Sequence, residues 1–191
     1  VTGGCENLQP DEIERIENHK LDDVKFLFWR NSDLNFKSSE DLIQSLEKKP
    51  SSKNFSKISD SLDENVLKYL TRDKKIKFSN DKLPLLWECC QIPDFQKKAF
   101  THIDVVTRVF NFLNSKKNKI PNDYMKNQLT GLDNYKGNID MISNKVSNVR
   151  TWSYVANKKN WVENSDYWIQ MSKNIEDNLS DKLHTELTKS F

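Results

Sequence analysis

The sequence predicts an all-α protein that closes on a long antiparallel helical hairpin. Three observations lead there. No strand–helix alternation runs along the chain, so the parallel-sheet classes lack their signature. Apolar residues recur in steps of three and four over most of its length. Two such runs, within 138–156 and 165–187, flank a short polar connector at 158–164.

Pro10 is placed to open a short helix over DEIERIENHK, with Asp11, Glu12 and Glu14 at its positive end. VKFLFW (24–29) is apolar without a clear period, so it reads as a buried strand or one helical turn. Ser38 and Ser39 start a helix to about Lys48 that turns Leu42, Ile43 and Leu46 to one face. The polar stretch 48–61 is a loop. Helices follow at 62–72 and at 83–91, the second with Pro84 in its first turn and Pro93 as its stop.

The next helix spans 95–115 on Phe95, Ala99 or Phe100, Ile103, Val106, Phe110 and Leu113. Pro121 begins another, to about Leu132. Gly131 and Gly137 bracket a break, after which Asn138 caps a helix to about Ala156. Its seam is Ile139, Ile142, Val146, Val149, Ser153 and Ala156. Ser165 is expected to cap the last helix, with the stripe Met171, Ile175, Leu179, Leu183 and Leu187.

A chain of 191 residues suits one domain or one domain with an appendage. Mean hydropathy is −0.80, so the surface is heavily solvated, yet ten Phe, five Trp and five Tyr supply burial that a disordered chain lacks. The net charge of +2 is unevenly placed: residues 1–47 carry −6, residues 48–126 carry +8 and the remainder is neutral. The middle third can face an anionic partner, or it can be a solvated lysine-rich face. Val1 is followed by no charged-then-apolar leader, and no apolar run reaches the roughly 18 residues needed to span a bilayer, so no membrane partner is expected. Cys5, Cys89 and Cys90 are an odd set with two immediate neighbours, which suggests reduced thiols in a cytosol-like compartment.

Catalytic signatures are missing. None of Gly3, Gly4, Gly131 and Gly137 stands before a Lys-Ser or Lys-Thr pair, so there is no phosphate-cradling loop and no nucleotide cofactor site. His19, His102 and His184 are far apart and lack a metal-site frame, and Cys89-Cys90 is better placed as core than as ligand. A Ser or Cys nucleophile would meet its base only in the fold, but no signature surrounds Ser143, Ser147 or Ser153. No catalytic, cofactor or metal residue is assigned.

The stretch NVRTWSYVANKKNW interleaves Arg150, Lys158 and Lys159 with Trp152, Tyr154 and Trp161. Cations neutralise phosphates and aromatic faces stack unpaired bases, so these six residues are the candidate nucleic-acid contacts. A tryptophan at helical spacing is also a common core residue, and Trp152 carries both readings. Lys116, Lys117 and Lys119 form a further basic cluster before Pro121.

FLFWRNSDLNF (26–36), LLWECCQIPDF (85–95) and IDMISNKVSNVRTWSYVANKKNW (139–161) together resemble the C-terminal region of the mitochondrial-degradosome RNA helicase family, and more closely its bacterial relatives. IEDNLSDKLHTELTKSF (175–191) resembles the final helix of that region, and residues 1–20 resemble the stretch after the last motif of the second RecA-like domain. These are superfamily-two, DExH-type ATP-dependent helicases. The resemblance implies that 1–36 is the tail of that RecA-like domain with a connector, and that 37–191 is the helical accessory region. It implies that ATP and magnesium belong to RecA-like motor domains upstream, as expected for an excised C-terminal region opening at Val1. The implied partners are single-stranded RNA, the motor domains and an exoribonuclease active in RNA degradation, and the implied location is the bacterial cytoplasm. No family catalytic residue falls on a position here. The expected role is to hold the strand and buttress the motor; the rival role is a protein-docking scaffold that touches no RNA.

Overall fold

The computed structural model describes residues 27–73 and 75–191, with Glu14 alone upstream. The helix expected behind Pro10 and most of the acidic first segment lie outside the described residues. The fold is all-α: seven α-helices and one two-stranded ribbon, among the described residues.

Strand β1 (Leu27–Trp29) pairs in parallel with β2 (Phe55–Lys57), and helix α1 (Ser39–Glu47) lies between them in sequence. The strand reading of 27–29 is correct, but its burial is not: Leu27 and Phe28 are exposed. The reason is that β1 has only one neighbour, and nothing among the described residues covers its outer side chains. The loop expected at 48–61 contains β2, because Phe55-Ser56-Lys57 supplies the ladder groups that β1 needs.

Helix α1 starts as its sequence demands. The Ser38 side chain accepts from the Asp41 amide at 3.1 Å, and Leu42, Ile43 and Leu46 are buried. Helix α2 (Leu62–Arg72) buries Val66, Leu67 and Leu70. A 3₁₀ turn at Asn80–Lys82 leads into α3 (Leu83–Cys90), where Pro84 occupies the first turn and Trp87, Cys89 and Cys90 are buried. Residues 27–36 belong to this packing. Asn31 Nδ2 donates to the Ser45 carbonyl at 3.0 Å, the Asn35 amide donates to Ser45 Oγ at 3.0 Å, and Leu34 and Phe36 pack on the core.

Burial pushes the Cys89 and Cys90 thiols well above their usual range, and the Glu88 carboxylate adds to the rise at Cys89. Both sulfurs should therefore be inert in the native protein. In a Cys5→Ser chain at about pH 8.5, where an ordinary thiol is half ionised, a disulfide reagent should titrate neither until denaturant is added. Rapid native-state labelling would contradict the core role of α3.

Helix α4 (Ala99–Leu113) starts four residues later than the sequence predicts. Lys97 takes a left-handed φ of 54° just before it, a conformation that a continuous helix does not allow. Phe95 and Phe100 consequently leave the core face, which is instead His102, Val106, Val109, Phe110 and Leu113. Helix α5 (Asn122–Leu129) has Pro121 as its N-cap rather than its first residue. It stops at Leu129 and not Leu132, because the chain turns through Gly131 at φ 83°.

The closing hairpin is α6 (Ile139–Asn157) against α7 (Ser165–Lys189), the pair expected from the sequence. Asn138 caps α6 by accepting from the Met141 amide at 2.9 Å. Ile142, Val146, Val149 and Ala156 are buried as the seam requires, joined by Trp152 and Val155, while Ile139 and Ser153 are only half-buried. On α7 the buried row is Trp168, Ser172, Ile175 and Leu179. That alternation of four and three tracks the helix repeat, whereas the expected step of four drifts outward and leaves Leu187 exposed. Ser165 is not the cap. Asn164 holds that position, and Ser165 Oγ instead donates to the Ala156 carbonyl at 2.9 Å, fastening α7 to the end of α6.

Candidate nucleic-acid interface

The six residues of the aromatic-basic run divide by side-chain environment. Trp152 is 1 % exposed; its Nε1 donates to Asn148 Oδ1 at 3.2 Å and its ring meets Tyr124 edge-on with centroids 5.6 Å apart. Trp161 is buried too. Neither ring offers a face to a nucleobase, so the stacking expected of Trp152 and Trp161 is corrected to core packing. The reason is periodicity: Trp152 follows Val149 and precedes Val155 at three-residue steps on the seam side of α6.

Arg150 is exposed, and its Nε donates to Glu176 Oε1 across the hairpin at 2.9 Å. Part of its charge is already spent on α7. Tyr154 is half-buried, and the Lys158 ammonium lies 5.8 Å from its ring and 5.4 Å from that of Trp161. Lys158 thus rests its charge on two aromatic faces. Lys159 is exposed.

The fold also joins what is separate in sequence. The Ile120 amide donates to the Trp161 carbonyl at 2.8 Å, and Ile120 and Val162 form a parallel bridge. Both side chains are buried. The loop carrying Lys116, Lys117 and Lys119 is therefore stitched to the hairpin connector carrying Lys158 and Lys159. Asn118 and Asn160 take left-handed conformations at φ 52° and 64°, which lets each loop turn tightly without glycine. None of these five lysines forms an ion pair among the described residues. Glu163 lies on the same connector, but its carboxylate accepts from Asn122 Nδ2 at 3.0 Å.

One aromatic residue escaped the sequence pattern. Tyr167, in the first turn of α7, is 58 % exposed and stands edge-on to Trp168, with centroids 4.8 Å apart. Trp168 is itself fixed by a 2.9 Å hydrogen bond from its Nε1 to Asn122 Oδ1. Tyr167 and Trp168 help line a groove of about 370 Å³ beside the connector, together with Asp123 and Lys126. Its place one residue before a core tryptophan is no signal by itself, because neighbours on a helix stand about 100° apart and both can be buried, as Val155 and Ala156 are.

Among the described residues no group of three or more His, Cys, Asp and Glu side chains could hold a metal ion. No described helix is long and apolar enough to cross a membrane. Compared with protein-family models, with curated proteins and with solved structures, the chain matches none.

Proposed function

We propose that this domain is the non-catalytic accessory region of an ATP-dependent RNA helicase, and that it holds single-stranded RNA beside motor domains of RecA-like type. The observation that carries the reading is the stitched pair of loops: five lysines on two adjoining backbones, with Tyr167 exposed in the first turn of α7 that follows. Cations in such a row follow a phosphate backbone, and one exposed ring can stack a base without regard to sequence. The family assignment rests on the WRNSDL, CQIPDF and VRTWSYVAN stretches described above. ATP and magnesium chemistry is assigned to the motor domains, and RNA degradation to a partner exoribonuclease.

The test is titration of a short oligouridylate at several salt concentrations. Binding should weaken steeply as salt rises. In a Lys158→Ala, Lys159→Ala chain the slope of log affinity against log salt should fall by about 1.4, the loss of two single-strand phosphate contacts. An unchanged slope, or no binding at low salt, would refute strand holding.

A second reading has its own support. Leu27 and Phe55, register partners on one face of the β1–β2 ribbon, and Phe28 on its other face are exposed apolar side chains suited to a protein surface. As a scaffold, the domain would dock the motor or a nuclease there. Unchanged RNA affinity in the lysine variant, with partner binding lost in Phe28→Ser, would favour it.

A further inference from the structure

Helix α4 presents an exposed stripe between two groups of cations. Phe100, Asp104, Arg108 and Asn111 are all exposed, and their spacing of four, four and three puts them on one side of the helix. The core row of His102, Val106, Val109, Phe110 and Leu113 turns the opposite way. Lys97 and Lys98 precede the stripe, and Lys116 and Lys117 follow it; all four are exposed. Residues 97–119 carry six cations, Arg108 and Lys119 included, against the one carboxylate of Asp104. None of the six forms an ion pair with another described residue. The stripe therefore has the charge of a polyanion site.

Phe100 is its telling member. The ring is 86 % exposed, and among the large apolar side chains described only Phe191 stands further out. The backbone fixes it there. Helix α4 starts at Ala99, just after the left-handed Lys97, and the helix period then carries Phe100 to the side away from Val106 and Phe110. A protein hot spot sits in a packed pocket from which water is excluded. The exposed sequence neighbours of Phe100 are chiefly polar: Lys97, Lys98, Thr101 and Asp104. A solvated ring among unpaired cations suits a ligand that alternates phosphates with flat bases.

We propose that α4 is a track for single-stranded RNA: the stitched lysine loops hold one end, Arg108 meets a phosphate along the way, and Phe100 stacks a base at the far end. The track rests on the strand-holding reading and gives that site a length and a second end. The 15 residues of α4 are about 22 Å long at 1.5 Å per residue. That length matches roughly six stacked nucleotides at about 3.4 Å each.

The experiment titrates triuridylate and dodecauridylate into the full chain at low salt. Phe100→Leu should weaken dodecauridylate roughly ten-fold, the loss of one stacked base, and leave triuridylate unchanged, since a trimer held by the loops falls short of the ring. Phe100→Trp should keep the parent's affinity, because stacking needs a ring and not only an apolar side chain. Arg108→Gln should lower the slope of log affinity against log salt by about 0.7 for the dodecamer alone. Both side chains are exposed, so these variants should keep the parent's Tm. If Phe100→Leu binds dodecauridylate as the parent does, the track is overturned, the lysine loops stand, and Phe100 is left to a protein partner. If it weakens both oligomers alike, Phe100 belongs to the trimer's own site and the track is again overturned. If the parent binds neither oligomer, strand holding and the track fall together.

Discussion

Trp152→Ala should cost about 3–5 kcal/mol of stability, the range for emptying a large aromatic site in a packed core. For a chain of this size that loss corresponds to a fall in Tm of roughly 10 °C. Trp152 is among the largest fully buried side chains, it closes the α6 seam, and its ring edge-packs on Tyr124. Tyr124 in turn meets Phe112 with centroids 4.8 Å apart, so the loss reaches α4 through α5. Trp152→Phe should cost less, because only the outer ring and the bond to Asn148 are lost. Thermal or denaturant unfolding of both variants checks the ordering. A cost under about 1 kcal/mol for the alanine change would mean that Trp152 is a surface residue after all.

Arg30→Met should cost about 3 kcal/mol, near the lower end for breaking a buried pair because the guanidinium keeps some contact with solvent. Arg30 Nη1 donates to both oxygens of Asp63, at 2.9 and 2.8 Å, and its guanidinium carbon stands 5.4 Å from the Trp87 ring centroid. It also lies 3.9 Å from Glu64, which is 3 % exposed and has one carboxylate oxygen without a hydrogen-bond partner. Lys57, 3.7 Å away on β2, is the other cation near that carboxylate. Removing Arg30 leaves the buried Glu64 carboxylate with Lys57 as its remaining cation among the described residues. Adding Glu64→Gln to Arg30→Met should therefore recover part of the loss, and a double-mutant cycle measures the coupling. Additive costs would show that the two side chains do not interact.

The hairpin was the most legible part of the chain. Its helices are 19 and 25 residues long, enough for the apolar period to outweigh local noise. The caps were legible where a side chain had a single use, as at Ser38 and Asn138. Ser165 was misleading because a hydroxyl beside a helix start can cap or reach elsewhere, and the neighbouring Ala156 carbonyl decided the matter. The start of α4 was hidden for a similar reason. Phe95 and Phe100 fit the apolar spacing, but a left-handed Lys97 interrupts the backbone between them. The ribbon was half legible: VKFLFW allowed a strand or one helical turn, whereas Phe55-Ser56-Lys57 carries no strand signal alone and pairs with β1.

The candidate interface was legible as composition and not as geometry. Spacing placed Arg150, Trp152 and Tyr154 in one run but could not show which of them face the seam. The two lysine groups are about forty residues apart, and the Ile120–Trp161 bond and the Ile120–Val162 bridge unite them.

The Ile120–Trp161 bond also fixes when entropy is spent. Two free loops would each have to be ordered by an incoming strand, and the ordering cost would be charged against affinity. Here the two backbones are immobilised during folding, and the burial of Ile120 and Val162 meets that cost. Only the lysine side chains remain to be frozen on contact, so weak electrostatic attraction can be converted into binding with little conformational loss.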